Sequence, residues 1–382
     1  MADVTTPRLA LVHDYLYVYG GAERTLEQVH RVWPEAPVYT LLFVRERLPV
    51  PFRAMDVHTT WVDRLPARLR LQRVYAMLQP VAFGALRVEP GRDVLSFASF
   101  GAKAVRAPWG RRHVCYCYTP PRFLWGPYSG IPRERLSLPL RAGTRALERW
   151  LRRWDRRTAQ AVDTFITQSR YVAERIRRVY GRDAAVVPPP VDVDRFAGIK
   201  PHDGGYYLVA GRFEAYKRID LAIEACRRLD VPLRIVGSGV DEPRLRQLAA
   251  GAPQVRFLGP VDDDEMVRQL TGCRALLFPG EEDFGLIALE AQAAGKPVIA
   301  YGAGGALETV LPGVTGAFFH DLSAEALTQA IAAFDPAAFD PQAARANAAR
   351  YAPERFRERL RSTVEEYLRT QMNADRKRDE RG

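Results

Sequence analysis

Short apolar runs recur along the whole chain, separated by stretches whose apolar residues follow helical spacing. In the first half, Arg8–His13, Val38–Leu41, Asp93–Ser96, His113–Tyr116 and Thr164–Thr167 read as strands. In the second half the strands are Tyr206–Gly211, Leu233–Gly237, Val255–Leu258, Ala275–Phe278, Pro297–Ala300 and Gly316–Phe319. A helix follows Gly20-Gly21, a long helical region spans Arg133–Ala161, and Pro353–Met372 has helical periodicity at the end. Strands alternating with helices predict an α/β fold with parallel sheets. The prolines Pro188, Pro189 and Pro190 cannot continue a helix or a central strand. The polar stretch Lys200–Gly205 follows, and a second α/β unit opens at Tyr206. The expected domains are therefore 1–197, 198–352, and a terminal helix with a charged tail, 353–382. No short-period repeat is present, and the two halves share one architecture.

A chain of 382 residues is long enough for two domains with real cores. Its 47% hydrophobic and 26% charged content is ordinary for a globular protein. Met1–Pro7 lacks a basic region followed by an apolar core, so no signal peptide is expected. No apolar run is long enough to span a bilayer; Val74–Leu86 comes nearest and is interrupted by Gln79 and Pro80. Cys115, Cys117, Cys226 and Cys273 are too scattered for a disulfide framework or a zinc site, which points to reduced thiols in the cytoplasm. The net charge of +11 reads either as a solvated basic surface or as attraction to an anionic partner. With no nucleic-acid motif, an anionic membrane surface is the expected partner rather than nucleic acid. Leu147, Trp150, Leu151 and Trp154 fall at helical spacing among Arg149, Arg152, Arg153, Arg156 and Arg157. That stripe suits a core-facing helix or one lying on anionic lipid. The tail Arg376–Gly382 is a mixed charge run expected to fray.

Candidate chemistry concentrates at strand ends. Glu282 lies just past the strand Ala275–Phe278, and Glu290 lies on the helix that follows. Ligands of open α/β sheets bind at such places. Ionised carboxylates accept several O–H bonds, so a sugar and a ribose are fitting guests. Arg212 and Lys217 sit together in the loop after Tyr206–Gly211. Fixed cations there suit a diphosphate whose charge grows as it leaves; the plainer reading is a surface Arg and Lys at a helix start. Positive charge opposes the helix dipole at that end, which favours an anionic ligand. Gly20-Gly21 lets a backbone approach a ligand before a helix N-terminus, or makes an ordinary tight turn. Gly237-Ser238-Gly239 fails as a dinucleotide fingerprint because position 242 is Glu, which leaves a base- or phosphate-side turn. Asp262, Asp263, Asp264 and Glu265 read as a helix cap and acidic first turn rather than a metal site.

Four patterns together resemble a family. They are Glu282-x7-Glu290 with its internal Phe284-Gly285, the following Ala294-Gly295-Lys296-Pro297, Gly211-Arg212-x4-Lys217, and Gly304-Gly305-x-x-Glu308. They are similar to the retaining glycosyltransferases of family four, which have the GT-B architecture. The resemblance implies two Rossmann-like domains facing each other across a cleft, with the last helix crossing back to the first domain. It implies a catalytic set of Arg212, Lys217 and Glu282, and donor contacts from Gly20, Gly21, Gly237, Phe284, Gly285, Leu286, Ile287 and Glu290. Glu282 would meet the donor sugar and Glu290 the ribose. Tyr116–Trp125 resembles a subgroup pattern, Y-x-H-T-P-x-R-x-x-W, found in bacterial mannosyltransferases of surface-polysaccharide assembly. Here Tyr118 replaces the histidine. Tyr118, Arg122, Trp125 and Glu308 are the implied acceptor or sugar contacts; Trp125 also reads as core, and Glu308 as a structural cap. The expected donor is GDP-mannose, with UDP-sugars as the alternative, and the acceptor is lipid-linked or a saccharide. No metal or cofactor is expected, and the site of action is the cytoplasm or the inner membrane face. Competing readings are an epimerase or phosphorylase on the same architecture, and a non-catalytic sugar-nucleotide-binding subunit.

Overall fold

The computed structural model describes residues 7–68, 70–126 and 138–379. Expectations at 1–6, at the start of the long helical region (133–137) and at the end of the tail (380–382) lie outside these residues. The chain divides into two compact units, Met1–Pro188 with Phe356–Gly382, and Pro189–Arg355.

The first unit holds β1 (Leu9–His13), β2 (Val38–Thr40), β3 (Val57–Thr59), β4 (Asp93–Ala98), β5 (His113–Cys117), β6 (Thr164–Thr167) and β7 (Ala184–Val186). They form one parallel sheet in the order β3-β2-β1-β4-β5-β6-β7. Every residue of β1 and β5 is buried, as a sheet covered on both faces requires. Alternate residues feed two cores: Ala10 and Val12 face one, Leu9 and Leu11 the other. The helix α1 (Gly21–Val32) adds Leu26 and Val29 to the second of these. The terminal helix Pro353–Asp379 places Phe356, Leu360, Val364 and Leu368 in that same cluster. Their spacing of four puts them on one face. This helix continues past the predicted end at Met372, into the charged tail.

The stripe on α2 (Leu138–Gln160) divides. Leu151 is buried with Phe100 and Leu124, and Trp154 packs against them, while Leu147 and Trp150 are exposed. Of the stripe, Leu151 and Trp154 are the residues that share a cluster with Phe100 and Leu124. Strands β3 and β7 were not expected. They are three-residue edge strands, and β7 is partly exposed, so neither carries an apolar run.

The second unit holds β8 (Tyr207–Ala210), β9 (Leu233–Val236), β10 (Val255–Gly259), β11 (Leu276–Phe278), β12 (Val298–Tyr301) and β13 (Gly316–Phe319). The sheet is parallel, in the order β10-β9-β8-β11-β12-β13. Helices α3 (Ile219–Leu229), α4 (Asp263–Gly272) and α5 (Leu286–Ala293) follow β8, β10 and β11. In each unit the first strand is central, and the chain winds to one side and then to the other. The switch points, where ligands bind in such sheets, are thus at β1/β4 and β8/β11.

Candidate functional site

At the β8/β11 switch point the loops are held together by backbone contacts. Gly211 N donates to Val236 O at 3.0 Å, and Phe213 N donates to Ser238 O at 2.9 Å. Gly237 has φ +124°, and a Cβ there would lie 1.9 Å from Gly211 O. Only glycine fits this approach, so its place in the sequence reflects loop packing. After Gly211 the chain makes a 3₁₀ turn, Ala215–Lys217, and Arg218 enters α3 in the left-handed conformation at φ 50°.

This turn aims Lys217 at Glu282. Lys217 Nζ donates to Glu282 Oε1 at 2.5 Å, with side chains 13% and 17% exposed. Glu282 follows β11, and its carbonyl accepts from Gly305 N at 2.8 Å. The two residues, 65 positions apart, thus meet at the switch point. Arg218 pairs instead with Asp220 in the first turn of α3, at 3.2 Å; this offsets a cation at the wrong end of a helix dipole. Arg212 is exposed on the same loop.

Gly285, at φ +96°, caps α5, and a Cβ there would press on the Phe278 ring at 2.8 Å. Phe284 is buried with Val191 and Leu289, so its ring packs in the core. Leu286 and Ile287 are half-buried at the start of α5. Glu290 lies a turn later, with its Oε1 3.9 Å from Arg195 Nη1. Arg195 also binds the Asp263 carboxylate at 3.2 Å and its carbonyl at 3.1 Å. Glu308 is half-buried on the helical turn Ala306–Thr309, and its carbonyl accepts from the Tyr351 hydroxyl at 3.0 Å. Asp262 Oδ1 accepts from Glu265 N at 2.7 Å, a helix N-cap. Among the described residues, no group of three or more His, Cys, Asp or Glu is arranged to hold a metal.

The remaining expected residues belong to the first unit. Gly20 N donates to Glu23 Oε2 at 2.9 Å, closing the start of α1. The Tyr118 hydroxyl donates to Ala22 O at 2.9 Å, so the loop Gly20-Gly21 and Tyr118 adjoin. Burial holds the Tyr118 phenol well above its ordinary pKa, and it stays neutral. Trp125 donates its indole N–H to Asp155 at 2.7 Å, with Arg156 and Arg152 over its ring at 4.6 and 5.3 Å. Asp155 is fully buried, and it also accepts from Lys103 at 2.6 Å and from Tyr180 at 2.9 Å. Arg122 is half-buried at the start of the short helix that carries Trp125. Burial pushes the Cys115 thiol up to about 12 and Cys117 up as well, so neither is poised as a nucleophile.

Two residues escaped the sequence reading. Arg195 lies in the Val191–Phe196 segment behind the prolines, and nothing local marks it as a partner of Glu290. Asp14 directly follows β1. Its carboxylate accepts from the backbone N–H groups of Ser99, Phe100 and Ala102 at 2.6, 3.0 and 2.7 Å. An acidic residue just past the first strand was the available signal.

Residues 19–195 match the family model described as Glycosyltransferase Family 4, and residues 191–353 match Glycosyl transferases group 1. The chain is 36% identical over 186 residues to a D-inositol 3-phosphate glycosyltransferase of Geodermatophilus obscurus, covering 40% of this chain and 41% of that one. It is 32% identical over 186 residues to a GDP-mannose-dependent monoacylated alpha-(1-6)-phosphatidylinositol monomannoside mannosyltransferase of Corynebacterium glutamicum, covering 41% and 49%. The match thus spans less than half the length of these curated relatives. Among solved structures, sucrose-phosphate synthase from Thermosynechococcus elongatus superposes with TM-score 0.71 at 17% identity, covering 95% of this chain and 100% of that one. HepE of Anabaena in complex with UDP superposes with TM-score 0.66 at 19% identity, covering 94% and 99%. The two parallel-sheet units have the GT-B glycosyltransferase fold, and the chain belongs to the group 1, family 4 glycosyltransferases.

Proposed function

We propose that the chain transfers a hexosyl group from a nucleotide sugar to a hydroxyl of a lipid-linked or saccharide acceptor, with retention of anomeric configuration and without a metal ion. The observation that carries this reading is the Lys217–Glu282 contact at the β8/β11 switch point. Lys217 has three N–H donors, and one faces Glu282, which orients the ammonium without consuming it. The other two, with Arg212, suit the diphosphate. As the bond from sugar C1 to the diphosphate oxygen breaks, negative charge grows there, and fixed cations lower the barrier. The acceptor oxygen bonds to C1 on the same face, and its proton passes to the departing diphosphate. The remaining lone pairs of Glu282 accept donor-sugar hydroxyls. Glu290, steadied by Arg195, suits the ribose.

GDP-mannose is the lead donor, favoured by the GDP-mannose dependence of the Corynebacterium relative. The proposed role is in cell-surface polysaccharide assembly, with peripheral association at the inner membrane face. Exposed Leu147 and Trp150 beside exposed Arg149 and Arg153, in a chain of net charge +11, support the membrane reading. No helix among the described residues is long and apolar enough to cross a membrane.

A thermal-shift panel of GDP, UDP, GDP-mannose and UDP-glucose tests the donor, because a ligand of the folded state raises Tm. The expected result is a larger shift with GDP-mannose than with UDP-glucose, followed by turnover that persists in EDTA. No shift with any of the four sinks the reading; loss of turnover in EDTA, restored by Mg²⁺ or Mn²⁺, sinks metal independence. Co-sedimentation with phosphatidylglycerol vesicles, absent with phosphatidylcholine ones, is the expected membrane result.

A further inference from the structure

We infer that His13 and Thr40 form a hydroxyl-binding pair in the first unit, which recognises a hydroxyl of the acceptor sugar. His13 ends β1, Thr40 ends β2, and the two are register partners. Partnered residues of a parallel pair project to the same face, and residues two apart share a face. Theirs is the face of Leu11 and Val38, which α1 covers with Leu26 and Val29. Both residues are buried, His13 at 2% exposure and Thr40 at 0%.

The tautomer of His13 is set by its neighbour. Its Nδ1 lies 2.9 Å from Tyr15 O. A carbonyl oxygen has only lone pairs, so Nδ1 carries the proton, and Nε2 of the neutral ring presents a lone pair. No described residue donates to that Nε2, and none pairs with Thr40 Oγ1. Folded chains keep buried polar atoms satisfied, and exceptions need an explanation. Here two exceptions stand on adjacent strands with complementary needs. Nε2 only accepts; Thr40 Oγ1 has a hydrogen to give. An alcohol donates to the first and accepts from the second. A phosphate dianion brings no proton for Nε2, and an ammonium has no lone pair for the Thr40 hydrogen.

The surroundings suit a sugar. The pair lies at the C-terminal ends of β1 and β2, and β1 also borders the β1/β4 switch point. The Tyr118 ring is 6.2 Å from the His13 ring, and its hydroxyl holds Ala22 O in the first turn of α1. The loop Gly20-Gly21 therefore adjoins the same spot. This inference rests on the glycosyltransferase reading, since it takes the hydroxyl to be a sugar's.

The test uses the full chain with His13→Asn, Thr40→Val and the double variant. Asparagine keeps an amide to donate to Tyr15 O and loses Nε2; valine replaces the hydroxyl with a methyl of similar shape. The probes are hydrolysis of GDP-mannose and UDP-glucose, and transfer from each to octyl α-mannoside and octyl β-glucoside. Each single variant is expected to lower kcat/KM about three- to tenfold, the scale of one lost hydrogen bond. Thr40→Val is also expected to raise Tm, because an unpaired buried hydroxyl is costlier than a methyl. The expected loss is in transfer alone; an equal loss in hydrolysis, which uses no acceptor, overturns the assignment. Unchanged rates in both folded variants overturn the pair, as does a lowered Tm in Thr40→Val with activity intact. A wild-type chain inactive on both nucleotide sugars overturns the parent reading instead. The pair is then judged by the ¹⁵N resonance of His13 Nε2 under titration with free mannose and glucose: movement supports it, and a static resonance overturns it.

Discussion

Replacing Lys217 with methionine removes one charge and keeps most of the stem's volume. The contact it breaks is short, 2.5 Å, between side chains 13% and 17% exposed. That places it between an exposed ion pair, about 0–1 kcal/mol, and a buried one whose rupture costs about 3–5 kcal/mol. Discounted for its partial exposure, the loss of folding stability should be about 1–2 kcal/mol. The expected catalytic loss is larger. A preorganised donor aimed at developing charge contributes about 100- to 1000-fold in kcat, or roughly 2.7–4 kcal/mol. Urea melts and steady-state kinetics with saturating nucleotide sugar separate the two quantities. Glu282→Gln supplies the control, since its amide oxygen still accepts from Lys217 while the carboxylate charge is gone. If Glu282 orients Lys217, the double variant should be no worse than about threefold below the poorer single variant, because coupled residues are not additive. A folded Lys217→Met variant whose kcat stays within about threefold of wild type would refute the leaving-group role.

Glu290→Gln should weaken the nucleotide sugar and the bare nucleoside diphosphate equally, whereas Glu282→Ala should weaken mainly the sugar-bearing form; calorimetric titration giving the opposite pattern removes the division of roles. Tyr118→Phe loses one hydrogen bond to Ala22 O, about 0.5–1.5 kcal/mol in a urea melt and at most roughly tenfold in kcat/KM. Tyr118→Ala should cost more, since it also strips ring contacts with Tyr116 and His13. A folded Phe variant as inactive as Ala would mean that the hydroxyl does chemistry. Burial pushes the pKa of His113 down from 6.5 to about 3. Above pH 6.5 neither state holds the proton, and the contribution to stability is complete; below it the unfolded chain protonates first, so stability falls by up to about 1.4 kcal/mol per pH unit towards pH 3. His113→Gln, which can keep a bond to Ser96, should lose that part of the slope in melts at pH 7.5, 6 and 5, and parallel slopes would contradict it.

The sequence made most central strands visible because buried parallel strands are nearly continuous apolar runs ending at Gly or polar loops. β3 and β7 escaped because a three-residue edge strand needs no such run: β3 contains His58, and β7 is Ala184-Ala185-Val186. The candidate site was legible where charge sits in the loop after a strand, as with Lys217 and Glu282, which the fold brings into contact. It was not legible where meaning depends on folding. Phe284 and Gly285 share a motif, yet the ring goes to the core. Trp125 has its indole tied to Asp155, 30 residues away. Arg195 meets Asp263 and Glu290 only when the Val191–Phe196 segment lies against α4 and α5.

The Asp14 carboxylate gives the two sheets different fates. Both have the strand order that creates a crevice beside the first strand. In the first sheet, three backbone N–H groups converge at that crevice, an arrangement that elsewhere welcomes phosphate. Asp14 already engages all three. The chain thus carries its own anion there, as a covalently tethered self-ligand that never dissociates. A nucleotide diphosphate arriving at that crevice would meet like charge and donors already committed. The donors that this crevice would otherwise offer to phosphate are thereby occupied from within the chain. Two crevices of one strand order thus differ in what they present: at the first, a single carboxylate has already taken the backbone donors.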